Sequence, residues 1–191
     1  WVGTPVNIFA FAKLERGMTS RMEVLERIMR KLVRPDFNPN SYDHVSDYLF
    51  KQKGYEPVYH TAAGRGAVDY ETLEILRGDH NDRFIGVLQE YRRWKKLSGT
   101  YLKGFKARIW KKDKRVHTDY SITGTKTGRL SSSRPNMQNL PKTAVQFQGI
   151  SMRDIIGAPK GWKLVAADMS QVEVHIAGIV FKDKKLLSML K

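Results

Sequence analysis

The sequence predicts an α+β chain, with a helical part to about residue 110 followed by a mixed part of short strands and helices. Three observations carry this reading. Apolar residues recur at three- and four-residue steps through 22–32 and again through 84–97, the period of one helix face. From residue 116 the apolar period shortens to two. Hydrophobic residues make up 41% of the 191, enough for a packed core.

The elements follow in order. Gly3-Thr4-Pro5 reads as a turn leading into a helix over about 8–16. Met22, Leu25, Ile28, Met29 and Leu32 then share one face of a second helix. Ser20 and Glu23 have the spacing of a capping box at its start, and Pro35 ends it. Phe37-Asn38-Pro39-Asn40-Ser41 is a turn that can cap a helix over about 42–53, stopped by Gly54. Residues 55–68 read as a loop. A short helix over about 69–76 ends at Gly78. A longer one spans about 81–102, with Phe84, Val87, Leu88, Tyr91 and Trp94 or Leu97 as its apolar stripe.

Beyond this, Val116, Thr118, Tyr120 and Ile122 alternate with polar residues, as in a strand. Residues 123–143 are polar. Lys163 to Ala167 reads as a short buried strand ending at Asp168. A helix over about 171–181 is expected to turn Val172, Ile176 and Ile179 inward, and Asp183 can cap a last helix.

Charge narrows the function. Thirty-four Lys and Arg face nineteen Asp and Glu, a net charge of +15. A chain this basic points to a polyanion, with nucleic acid ahead of an anionic membrane surface. Cysteine is absent, which excludes disulfides and thiolate metal sites. No apolar run reaches the roughly 18 residues of a membrane span, and the N-terminus lacks a signal-peptide layout. A cytoplasmic or organelle setting is therefore expected, and secretion is not.

The cations are concentrated. Arg92, Arg93, Lys95, Lys96, Lys103, Lys106 and Arg108 precede Lys111, Lys112, Lys114 and Arg115, with Tyr101, Phe105 and Trp110 interleaved. A helix C-terminus welcomes cations, which explains their sign. Their number fits phosphate contacts better.

Two segments carry candidate chemistry. The first is Thr127-Gly128-Arg129-Leu130-Ser131-Ser132-Ser133-Arg134-Pro135-Asn136-Met137-Gln138-Asn139-Leu140-Pro141. Arg, Asn and Gln can donate to the minor-groove acceptors, which every base pair presents. A polar loop bonded to its own backbone is the other reading. The second is Asp168-Met169-Ser170-Gln171-Val172-Glu173. An acid at a strand end can hold Mg²⁺ with a following backbone carbonyl. It can equally cap the next helix.

Together, TGRLSSSRPNMQNLP followed by DMSQVE resembles the family A (bacterial polymerase I-like) DNA polymerases. That family's pattern is TGRLSS, then PN-x-QN, then a strand, then D-Y-S-Q-I-E. Phe37 to Ser41 is similar to the family's FN-x-NS turn, and Tyr91 to Tyr101 to its YR-x-x-x-KL-x-STY helix end.

The resemblance implies a helical thumb over about 1–110 and an incomplete mixed α/β palm over 111–191. It implies template-directed addition of deoxynucleotides to a primer 3′ end by two-metal phosphoryl transfer. Asp168, with the Met169 carbonyl, would hold catalytic Mg²⁺. Glu173 would be the ribose gate, with Met169 and Gln171 beside it in nucleotide selection. Lys96, Thr100, Tyr101, Thr127, Arg129, Ser131, Asn136, Gln138 and Asn139 would contact primer–template DNA. Deoxynucleoside triphosphates would be substrates.

The sequence departs from the pattern at three places. Met169 replaces the usual Tyr, His175 an Arg and Arg134 an Asp, so ribose discrimination is open and the charge at 175 becomes pH-dependent. These departures suggest a phage- or organelle-type member. The family's nucleotide-binding helix and its His-Asp-Glu motif do not occur in these 191 residues. The isolated chain is therefore expected to be inactive. An open sheet edge is expected to drive self-association or pairing with a second chain. A thumb-derived module that only grips duplex DNA is the alternative, and it would need neither Asp168 nor Glu173.

Overall fold

Asn7 opens the first helix, its Oδ1 accepting from the Ala10 N–H at 3.0 Å. In this computed structural model, which describes residues 2–140, 147 and 149–190, helix α1 then runs without a break from Ile8 to Leu32. The sequence suggested two helices with a capping box at Ser20, and the structure corrects this. Gly17 is not a terminator but a contact point. It is buried, and a Cβ there would fall 2.2 Å from the Phe147 ring. Ser20 is exposed in mid-helix.

Ser41 caps α2, Tyr42–Ser46, as its position in the turn suggested, and the helix continues as a wider turn over Asp47–Gln52. Helix α3, Tyr70–His80, runs past Gly78 and stops at Asn81, which takes the left-handed conformation at φ 47°. Asn tolerates that region because its short polar side chain bonds locally. Asp82 caps α4, Arg83–Leu97, through the Phe84 N–H at 2.8 Å. A wider turn over Ser98–Leu102 leads into α5, Lys103–Arg108, so the helical stretch outlasts the expected end at 102.

Helix α1 lies against α4, and α3 packs on α4 as well. Leu14, Met18, Leu25 and Met29 share one core with Phe84, Ile85, Leu88, Tyr91, Trp94 and Leu97. Val87 is only half-buried. Phe37 meets the Phe84 ring edge-on at 5.5 Å, and Tyr48 lies 4.4 Å from the same ring. Each such buried side chain contributes roughly 1.5–3 kcal/mol. The Arg21 guanidinium clamps Glu90 across α1 and α4 at 2.7 and 2.9 Å.

The expected strand over 116–122 is two strands with different partners. Strand β1, Thr4–Pro5, pairs antiparallel with β2, Arg115–Val116. Strand β3, Asp119–Ser121, pairs antiparallel with β4, Ser131–Ser133. Between them His117 and Thr118 are buried; His117 Nε2 lies 2.8 Å from Asp113 Oδ2, and Thr118 Oγ1 donates to Ser133 O at 2.9 Å. These polar partners interrupt the alternation, and Tyr120 and Ile122 end up exposed.

The chain forms two compact units, Trp1–Gly157 and Ala158–Lys191. The second holds α6, Val172–Val180, and α7, Lys184–Met189, with Asp183 capping α7 as expected. Two expectations fail here. Residues 163–167 form no strand, and Val165 is 90% exposed. Lone strands leave their backbone groups unpaired, and no described strand pairs with these residues. Val172, Ile176 and Ile179 do not turn inward but are exposed, while Gly178 packs against Leu187 of α7. Among the described residues no helix is long and apolar enough to cross a membrane.

Candidate nucleic-acid interface

The apolar stripe of α4 faces the core, so Arg93, Lys95 and Lys96 are left on its outer side. The turn at 37–41 and the end of α4, distant in sequence, meet here. Asn40 Nδ2 donates to the Tyr91 hydroxyl at 3.1 Å, and that hydroxyl donates to Glu26 Oε1 at 2.8 Å. Lys95 Nζ donates to Asn40 Oδ1. Burial raises the Tyr91 phenol above its usual range, so it stays a neutral donor. Glu90 accepts from Trp94 Nε1 at 3.2 Å, and the Arg21 hydrogen bonds hold its carboxyl below the usual range. These bonds fix the basic end of α4 against α1. Lys96 and Thr100 are exposed, whereas Tyr101 is half-buried against the core.

The TGRLSSSRPNMQNL residues gather around the β3–β4 hairpin. Thr127 and Arg129 lie on its exposed connecting loop, steadied where Thr125 Oγ1 donates to Arg129 O at 2.7 Å. Ser131 opens β4. Pro141 lies outside the described residues. After β4 the chain turns about Ser132, which is buried. Its Oγ donates to Asn136 Oδ1 at 3.0 Å and accepts from the N–H groups of Met137 and Gln138 at 3.1 and 3.3 Å. Asn136 Oδ1 also accepts from the N–H groups of Gln138 and Asn139 at 3.0 and 3.3 Å. Only the amide oxygen can accept from these donors, so the flip of Asn136 is fixed with Nδ2 as its remaining donor. Gln138 Nε2 donates to Leu130 O at 2.8 Å. Asn136, Gln138 and Asn139 are all exposed.

The segment bonds its own backbone, as the second reading of this loop expects, and its Asn136, Gln138 and Asn139 amides lie at the surface. Arg134, where the family pattern has Asp, donates through Nε to Asp119 Oδ2 at 2.8 Å. The turn adjoins the helical end, since a Cβ on Gly104 of α5 would lie 3.7 Å from Pro135. The structure thus brings the two groups of candidate DNA-contact residues to neighbouring elements.

Asp168 and Glu173 belong to the second unit. Asp168 is exposed on irregular backbone ahead of α6, not at the end of a buried strand. Gln171 enters α6 at φ 49° with no side-chain cap, and Glu173 stands exposed in the first turn. His175 Nδ1 lies 3.1 Å from Gln171 O, and a carbonyl can only accept, so Nδ1 carries the proton. Met169, Ser170, Val172 and His175 line an open depression of about 400 Å³. No group of three or more His, Cys, Asp or Glu suited to a metal ion occurs among the described residues. The Asp168 carboxylate and the Met169 carbonyl are hard oxygen donors of the type Mg²⁺ takes.

Sequence reasoning missed one feature. Tyr70 and Leu73 of α3 face Gln89, Arg92, Arg93 and Lys96 of α4 across a cavity of about 310 Å³. The cations were visible as a run, but their pairing with α3 depends on how the two helices pack.

The family model of DNA polymerase family A matches residues 9–191. The chain is 35% identical over 185 residues to the thermostable DNA polymerase I of Thermus filiformis, covering 96% of this chain and 22% of that protein. It is 35% identical over 173 residues to DNA polymerase I of Pseudomonas aeruginosa, covering 90% and 18%. The chain thus spans about a fifth of the length of these relatives. The polymerase domain of Pol1 from M. smegmatis, solved with DNA primer-template and dNTP, has the same fold. The TM-score is 0.77 at 24% identity, over 95% of this chain and 31% of that one. The match runs through the basic helices, the hairpin turn and the Asp168 segment alike, and the chain belongs to DNA polymerase family A.

Proposed function

We propose that this chain is the thumb, about residues 1–110, and the first part of the palm, 111–191, of a template-directed DNA polymerase. One observation carries the reading: the turn after β4 commits Asn136 Oδ1 to the Ser132 hydroxyl and to its own backbone, with the Asn136 and Asn139 amides at the surface. Donors of this kind suit minor-groove acceptors common to all base pairs, as a sequence-independent enzyme requires. The mycobacterial polymerase domain was solved with primer-template and dNTP, which supports the same partners here.

In this reading Lys96 and Thr100 meet backbone phosphates and Tyr101 shapes the thumb surface beside them. Thr127, Arg129, Ser131, Asn136, Gln138 and Asn139 hold the primer–template duplex near the growing end. Asp168 and the Met169 carbonyl would hold Mg²⁺, which when bound favours ionisation of the primer 3′-hydroxyl and neutralises the triphosphate. Glu173 crowds the position of a ribose 2′-hydroxyl, with Met169 and Gln171 beside it. The exposed apolar residues of the second unit support its association with further polypeptide.

Two measurements test this. Fluorescence anisotropy should show the chain binding duplex DNA at low salt, with affinity falling steeply as salt rises. Absence of binding at low salt would overturn the DNA reading. Primer extension by the isolated chain should be undetectable with Mg²⁺ and dNTPs, because Asp168 is one carboxylate of a two-metal site. Extension would overturn that assignment.

A further inference from the structure

Three cations and an aromatic ring meet between α3 and α4. Arg92, Arg93 and Lys96 line the cavity of about 310 Å³ together with Tyr70, Leu73 and Gln89. Its volume is at the small end of ligand pockets, the size of one nucleotide rather than a duplex. Arg92 is held in place, donating through Nη1 to Val68 O, with Asp69 nearby. Burial lowers its affinity for its proton, so the guanidinium sits where an anion is worth more than in open water. Arg93 and Lys96 are exposed beside it.

Charge alone does not describe this cavity. A bare phosphate needs neither Tyr70 nor Leu73. Tyr70 is 63% exposed although its neighbours on α3, Thr72 and Leu73, are buried. Single-strand binders pair exposed aromatic rings, on which bases stack, with cations that track the phosphates. The cavity also lacks a ready base reader. Gln89 is engaged at both ends, donating to Glu74 Oε1 at 2.7 Å while Arg77 Nη1 donates to its Oε1 at 3.4 Å.

We infer that this cavity seats one unpaired nucleotide of single-stranded DNA, its base on the Tyr70 ring and its phosphate among Arg92, Arg93 and Lys96. Recognition is by stacking and charge, so it tolerates any base. The inference rests on the DNA reading and extends it from duplex to strand.

Anisotropy measurements on the 191-residue chain test it with three labelled probes. These are a short oligothymidylate, the same phosphodiester with abasic units, and a blunt duplex. The chain should prefer oligothymidylate to the abasic strand by at least about fivefold, the lower end for one stacked base. Tyr70→Ala should erase that preference and leave duplex affinity within about twofold, while Tyr70→Phe keeps it. Arg93→Ala should weaken both strands alike. Far-UV circular dichroism of each variant establishes that it is folded. If the unaltered chain shows no preference, or Tyr70→Ala retains it, there is no base seat here. If Arg93→Ala leaves both strands unchanged, the phosphate arm is wrong. In each of these cases intact duplex binding leaves the polymerase reading standing. Failure to bind all three probes at low salt would overturn that reading itself.

Discussion

The two units treat their apolar residues in opposite ways. In Trp1–Gly157 the large side chains close on one another, and Leu14, Met18, Phe84, Leu88 and Phe105 have no exposed surface. In Ala158–Lys191 the equivalents are open: Trp162 is 75% exposed, Val165 90% and Phe181 79%. The first unit contains α1, α3 and α4, long enough to bury each other's stripes. The second has short helices and an apolar run with no described strand to pair with. A hydrophobic pattern specifies a face, but a face is buried only where a second surface exists to cover it.

Removing apolar volume should affect the two units very differently. Phe84→Ala should cost about 3–5 kcal/mol in urea unfolding. Val165→Ser should change stability by less than about 0.5 kcal/mol. Similar losses for the two variants would mean that the second unit is covered. Gly17→Ala comes next, because two effects oppose. Helix propensity alone favours Ala by about 1 kcal/mol. The Phe147 ring, 2.2 Å from the added Cβ, should reverse the sign to a net loss of about 1–3 kcal/mol. A raised melting temperature would show that Phe147 is free to move aside.

Smaller effects follow from charges and caps. Arg21 lowers the Glu90 carboxyl, so the pair's contribution is fully present above the ordinary carboxylate range. It is lost as pH falls through the lowered folded value. Glu90→Gln should therefore flatten that part of the acid unfolding profile. Both side chains are over a third exposed or close to it, so the coupling energy in a double-mutant cycle with Arg21→Ala should be about 0.5–1 kcal/mol. Smallest is the α3 cap. Asn81→Gly should be neutral within a few tenths of a kcal/mol by thermal melts, whereas Asn81→Ala should cost about 0.5–1 kcal/mol at φ 47°.

Much of the candidate site was legible because it is local. The TGRLSSSRPNMQNL turn and the Asp168 segment are contiguous, and their order marks the family. The role of Ser132 was not legible. Three serines stand in a row, and nothing in the sequence says which one turns inward. The pleat of β4 decides that, burying Ser132 between Ser131 and Ser133 so that it can bond Asn136, Met137 and Gln138.

By itself the sequence determined the α+β class, the main helices, the caps at Ser41 and Asp183, the excess of cations and the family. These depend on spacing along the chain, and spacing is what a sequence states. Tertiary structure alone decided that α1 passes through Gly17, that Asn40 reaches Tyr91 and Lys95, and that Tyr70 faces Arg92 across a cavity. It also decided that Lys163 to Ala167 pairs with no described strand. Each of these depends on a partner far off in sequence, and a one-dimensional pattern does not encode which surfaces meet.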